Sequence, residues 1–152
     1  KKILKISARF SGSAYTNSIG YQRTLVLNKI KNNNLFLEGK ITKKKFINET
    51  YRVFGTFSAF GWGEICYRDF EACLGGSLLI KPDMSHLSSW PNIYINNMYC
   101  SLNWDFENMD KVQDFFNSPI KAEEAVNQSR EEYHNCLNTA PSRCVKLIEE
   151  II

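Results

Sequence analysis

Arg68, Glu71 and Glu64 stand close together in the stretch Gly61-Trp62-Gly63-Glu64-Ile65-Cys66-Tyr67-Arg68-Asp69-Phe70-Glu71, and their types suit a phosphate-bearing ligand. A guanidinium is a planar fork that grips phosphate oxygens two at a time, where an ammonium acts only as a point charge. An ionised carboxylate offers acceptors on both oxygens, which is how a diol is held. A glycine-punctuated turn running into a helix lets backbone N–H groups approach an anion. At 100° per residue Glu64, Arg68 and Glu71 fall within about 60° of one another, while Cys66, Phe70, Cys73 and Leu74 group on another side. Each residue also has a plainer reading. Arg68 can pair with Glu64 one turn away for about 0.3–0.5 kcal/mol. Glu64 can complement the helix dipole, Glu71 can be a solvated acid, the glycines can serve positive φ, and Trp62 can simply pack.

The elements around these residues have their own signals. Val53 to Phe60 is apolar and β-prone, Glu64 to Leu74 has helical spacing, and Ser77 to Ile80 is apolar again after Gly75-Gly76. Strand, turn, helix and strand make a parallel βαβ unit, and ligands of such sheets sit outside the carboxyl ends of the strands. Upstream, the pattern predicts a strand over Ile3 to Phe10, a small polar loop over 11–18, a helix from Ile19 to Lys31, and a weak strand over Leu35 to Ile41. A helix capped by Thr42 then runs to Arg52. Arg9, with Ser11 and Gly12, ends the first strand on the side where a ligand would lie. Lys81 follows the fourth strand, with a phosphate or water as its partner.

Downstream of Pro82 a loop over Asp83 to Asn92 carries Ser85, His86 and Trp90, and Met98 to Leu102 reads as one more strand. Asn108 is placed to cap a short helix through Phe116. A strongly periodic helix runs from Ile120 to Leu137, and Pro141 is expected to end it before a final helix from Ser142 to Ile152. The whole order predicts a Rossmann-like, three-layer α/β/α domain over residues 1–152, built on a parallel sheet.

At Arg68-Asp69-Phe70-Glu71-Ala72, the Gly75-Gly76 pair and Leu78-Leu79-Ile80, the chain resembles the donor-binding, C-terminal half of GT-B glycosyltransferases, nearest in form to the exostosin-like, CAP10-like and CgeB-like branches. The resemblance spans roughly Ile3 to Leu137. It departs from the E-x7-E motif of the larger GT-B families, because the position eight before Glu71 is Gly63, with Glu64 one later. The resemblance implies transfer of a sugar from a nucleotide diphosphate sugar to a glycan or lipid-linked acceptor, as in polysaccharide biosynthesis. It implies that Arg68 meets the diphosphate and Glu71 the ribose; with the switch-point and glycine-turn arguments added, the candidates are Arg68 and Glu64 for catalysis and Arg9, Gly61, Trp62, Gly63, Arg68 and Glu71 for the donor. It also implies an N-terminal GT-B half outside this chain, with the acceptor site and a base on that half. The alternative is a non-catalytic Rossmann-like interaction or scaffold module.

Composition narrows the partners. Nineteen basic residues against 16 acidic ones give a mild charge of +3, and Lys43-Lys44-Lys45 lacks interleaved aromatics, so nucleic acid is not implied. That run reads as a solvated helix face, with peripheral contact to an anionic membrane as its other use. Five cysteines without C-x-x-C spacing imply neither a disulfide framework nor a zinc site, and Cys66 and Cys73 are expected as buried thiols in a cytoplasmic chain. His86 and His134 lack metal-ligand spacing; His86 is a general-base candidate or an ordinary exposed histidine. No D-x-D pair occurs, so no metal or separate cofactor is expected, and the charge of a diphosphate falls to Arg68, helix dipole and backbone donors. A chain opening Lys1-Lys2 with a strand at once is expected to be a piece of a longer protein.

Overall fold

Along the fourth strand Leu78 and Ile80 turn to one face of the sheet and Leu79 and Lys81 to the other, as the two-residue period of a strand requires. The same alternation places Ile6 and Phe57 on the first face, so every inner strand is covered on both sides. In the computed structural model, which describes residues 2–13, 15, 17–95 and 97–150, five parallel strands form one sheet. They are β1 (Ile3–Ser7), β2 (Phe36–Leu37), β3 (Val53–Phe57), β4 (Leu78–Pro82) and β5 (Cys100–Leu102), in the order β2-β1-β3-β4-β5. Helices α1 (Asn17–Ile30), α2 (Lys43–Thr50) and α3 (Tyr67–Gly75) follow the first three strands, and α4 (Asp110–Asn117) and α5 (Pro119–Glu149) follow the last.

Two cores result. Val26 and Ile30 of α1 pack with Ile6, Phe57, Ile80 and the start of α5, while Ala72 and Cys73 of α3 pack with Leu79, Met84 and Tyr94. The Rossmann-like three-layer arrangement read from the sequence is therefore the fold. Because β2 and β3 flank β1 on opposite sides, the winding direction reverses at β1, and the loops leaving β1 and β3 part there. A crevice opens at such a switch point.

Local chemistry moved several boundaries. The predicted helix start at Glu64 is corrected to Tyr67, because Cys66 is extended and its N–H donates to Asp69 Oδ2 at 2.9 Å, a cap supplied from inside the helix. At the other end Gly76 takes the left-handed conformation (φ 64°) that closes a helix. Thr42 caps α2 as expected, its hydroxyl accepting from Lys45 N–H at 3.3 Å. Asn108 does not cap α4; its carboxamide accepts from Asn103 N–H at 2.7 Å and braces the loop after β5. Pro141 does not end the long helix, which runs 31 residues through it. The carbonyl that a proline strips of its donor belongs here to Leu137, an exposed residue on the solvent side of the helix. Ala14 and Thr16 of the 11–18 loop, and Ile151 and Ile152 of the expected last helix, lie outside the described residues.

Lys81 is not at the edge of the fourth strand but inside it, with no solvent exposure, and its ammonium stands 3.2 Å from the equally buried Asp69 Oδ2. The same oxygen takes the Tyr94 hydroxyl at 2.7 Å. The Phe60 ring covers Lys81 with its centroid 5.1 Å from Nζ. Removing one member leaves a bare buried charge, so Lys81→Met is expected to lower stability by about 3–5 kcal/mol. Urea unfolding measures it, and the Asp69→Asn, Lys81→Met double variant should regain part of the loss. A Lys81→Met loss below about 1 kcal/mol would contradict a buried pair.

Candidate functional site

The chain leaves β1 through Ala8, Arg9, Phe10 and Ser11, and leaves β3 through Ser58, Ala59, Phe60 and Gly61. Between these exits lies Arg23 of α1, only 5% exposed. Its Nε donates to the Phe60 carbonyl at 2.5 Å and its Nη1 to the Ser11 carbonyl at 3.1 Å, tying both loops to one guanidinium. The Tyr15 ring lies over that guanidinium with its centroid 3.9 Å away.

Arg68, in the first turn of α3, reaches the same place from the other face. Its Nη2 donates to the Arg9 carbonyl at 2.8 Å, its Nε is buried without a partner, and the ring of Phe46 lies 5.4 Å from its guanidinium carbon. Phe10 separates the two arginines, its ring centroid 5.6 Å from one guanidinium and 5.9 Å from the other. Among the described residues neither has a carboxylate in ion-pair contact. Burial, the largest cause, pulls both guanidiniums below their ordinary pKa. Arg68 lowers Arg23 further, while the nearby Glu71 draws Arg68 back up. Two like charges partly withdrawn from water are favoured by an anion within reach of both.

The other predicted residues divide. Glu71 is half-buried and, among the described residues, its carboxylate takes no protein hydrogen bond. Arg9 is committed to Glu49, with Nη2 2.7 Å from Oε2 and Nε 3.0 Å from Oε1, and also donates to the Glu38 carbonyl. Its side chain thus braces α2, while its carbonyl holds Arg68. Glu64 makes no pair with Arg68; it faces His86 across the loops after β3 and β4, at 3.0 Å from Oε2 and 3.2 Å from Oε1 to Nε2. Trp62 is 86% exposed and leans on Tyr15 with ring centroids 5.3 Å apart. Neither Gly61 nor Gly63 has a positive φ. A methyl on Gly61 would stand 3.4 Å from Cys66 Sγ, 3.5 Å from the Tyr15 hydroxyl and 3.6 Å from Arg23 Nη2, so the glycine's value is the space it leaves.

Beside this crevice, over the ends of β1 and β2, a cavity of about 750 Å³ is lined by Arg9, Phe10, Ser11, Thr24, Gly39 and Lys40. That volume suits a small organic ligand. Among the described residues no three His, Cys, Asp or Glu side chains converge on a common point, and no helix is long and apolar enough to cross a membrane.

Arg23 is the residue that sequence reasoning missed. The signal was there, since Arg23 shares the buried stripe of α1 with Gln22, Val26 and Ile30. A charge on an apolar stripe marks a polar site at depth. Cys66, expected as a buried thiol, is instead half-buried at the cap of α3. Comparison with known protein families, with curated proteins and with solved structures finds no match to this chain.

Burial pushes the Cys73 and Cys100 thiols up to about 11 and about 12. Native-state alkylation at pH 8 is expected to modify Cys66 and Cys144 and to spare Cys73 and Cys100. Mass spectrometry of the labelled chain reads the pattern, and rapid labelling of Cys73 would contradict the packing of α3.

Proposed function

We propose that this chain is the donor-binding half of a GT-B glycosyltransferase, which moves a sugar from a nucleotide diphosphate sugar to a glycan or lipid-linked acceptor. The observation that carries the reading is that Arg23 and Arg68 flank Phe10 at the switch point and, among the described residues, neither has a carboxylate in ion-pair contact. A sugar leaves a nucleoside diphosphate as negative charge builds on the terminal phosphate, and fixed cations in a partly dry crevice stabilise that charge without reorganising. The start of α3 adds the partial positive charge of a helix N-terminus. Glu71, one turn beyond Arg68 and without a hydrogen bond to its carboxylate among the described residues, has both oxygens available for a ribose diol. The neighbouring cavity has room for the nucleoside, and an N-terminal half would bring the acceptor.

A non-catalytic interaction module is the second reading, favoured by Trp62 and Tyr67, which stand 86% and 90% exposed beside the crevice. Calorimetry separates the two, because only the donor site requires binding that depends on the diphosphate.

Titration with UDP and GDP is expected to show binding by the wild type. Arg68→Ala should weaken it by about 1.5–3 kcal/mol, roughly 10- to 150-fold. Arg68→Lys should restore only part, since a point charge cannot reproduce the fork. The thermal midpoint of Arg68→Ala should fall modestly, because the guanidinium also lies against the rings of Phe46 and Phe10. Unchanged affinity would remove the arginine from the site, and absent wild-type binding would remove the donor reading. Gly61→Ala should fold normally, since every contact of the added methyl is at van der Waals distance, yet bind the diphosphate more weakly by filling the space beside Arg23.

A further inference from the structure

Two titratable side chains that lie far apart in the sequence meet above the carboxyl end of the sheet. His86 Nε2 lies 3.0 Å from Glu64 Oε2 and 3.2 Å from Oε1, so the carboxylate straddles one ring nitrogen. A carboxylate accepting from Nε2 places the imidazole proton there and leaves Nδ1 with a free lone pair, the arrangement that makes a histidine a base of fixed orientation. Their side chains are 52% and 41% exposed, open to a hydroxyl arriving from solvent.

Both loops are pinned where they carry these residues. Met84, fully buried, donates its N–H to the Tyr99 hydroxyl at 3.0 Å and accepts from Leu87 N–H at 3.0 Å, closing a turn that presents His86. On the other loop Gly61 N–H donates to the Gly63 carbonyl at 3.1 Å, and Asp69 holds Cys66 N–H at 2.9 Å. The Cys66 thiol stands between the Glu64 backbone and the arginine crevice: Sγ donates to the Glu64 main-chain carbonyl at 3.8 Å, and a methyl on Gly61 would lie 3.4 Å from that sulfur and 3.6 Å from Arg23 Nη2.

We infer that His86, positioned by Glu64, is the general base of this site, removing the proton from the hydroxyl that attacks the sugar. The inference rests on the donor-site reading and adds to it a proton acceptor from this chain rather than from the other half. In the step, the nucleophile's oxygen bonds to the anomeric carbon as the bond from that carbon to the phosphate oxygen breaks. The electron pair leaves with the nucleoside diphosphate, whose charge faces Arg23 and Arg68. The nucleophile's proton ends on His86 Nδ1 and then passes to solvent. Glu64 touches neither the substrate nor the proton being transferred; it is a positioning residue.

The test uses the full chain with UDP-glucose, UDP-N-acetylglucosamine and GDP-mannose, water serving as nucleophile, and follows release of the nucleoside diphosphate. His86→Ala is expected to bind UDP or GDP within about twofold of wild type, with KM held and kcat reduced roughly 100-fold. Glu64→Gln should lose roughly tenfold in kcat, with KM again held. Added imidazole should restore turnover to His86→Ala and leave Glu64→Gln unchanged, a rescue that a merely structural role would not give. Equal kcat in wild type and His86→Ala overturns the inference while diphosphate binding keeps the donor reading. Wild type that binds but releases nothing overturns it in the same way. Wild type that binds no nucleoside diphosphate overturns the donor reading, and the base assignment with it.

Discussion

A carboxylate and an ammonium with no solvent exposure, Asp69 and Lys81, hold together the end of the sheet where the crevice lies. Either charge alone in that place would cost several kcal/mol, so the two must arrive together, and each brings an element with it. Asp69 brings the first turn of α3, Lys81 the end of β4, and the Tyr94 hydroxyl, on the same oxygen, the long loop between β4 and β5. Because Asp69 also caps Cys66, the pair decides where α3 begins and therefore where the Gly61 to Glu64 turn can lie. Arg68 is the neighbour of Asp69 in sequence, and its place in the crevice follows from the same anchor.

The crevice inverts that electrostatic logic. Lys81 meets Asp69 and Arg9 meets Glu49, charge closed on charge. Arg23 and Arg68 instead meet carbonyls, those of Phe60, Ser11 and Arg9. A carbonyl fixes the direction of a guanidinium without cancelling its charge, so the two forks are oriented while, among the described residues, no carboxylate closes on either as an ion pair. Their direction is fixed by the protein itself, and the rings of Phe10, Phe46 and Tyr15 pack against guanidiniums that are partly desolvated. Arg23 also couples site to fold, since its bonds to Ser11 and Phe60 tie together the two loops that diverge at the switch point.

Much of the architecture was legible in the sequence because it rests on local rules. Short apolar strands alternating with helical stripes could be read as a parallel sheet covered on both faces, and Gly75-Gly76 marked the end of α3 because only a residue without Cβ adopts that left-handed cap at no strain. Thr42 announced α2 by the same kind of local bond. The start of α3 was less legible, since cysteine is an uncommon cap and the Asp69 cap lies inside the helix. Pro141 misled because its penalty depends on whether the orphaned carbonyl meets water, a matter of exposure.

What the sequence by itself determined is the strand and helix order, the apolar faces, and the presence of Arg68, Glu71 and a small-residue turn after the third strand. Only the tertiary structure decided which charges close on one another. Lys81 went to Asp69, Arg9 to Glu49 and Glu64 to His86, each across a sequence separation that no helical or strand period encodes. Hydrophobic patterning repeats every two or 3.6 residues and can be read along a chain, whereas an ion pair depends on the distance between two elements after the sheet has assembled. Arg23 shows in the sequence only as a charge on the apolar stripe of α1, and its place beside the ends of β1 and β3 was decided once α1 had packed against the sheet.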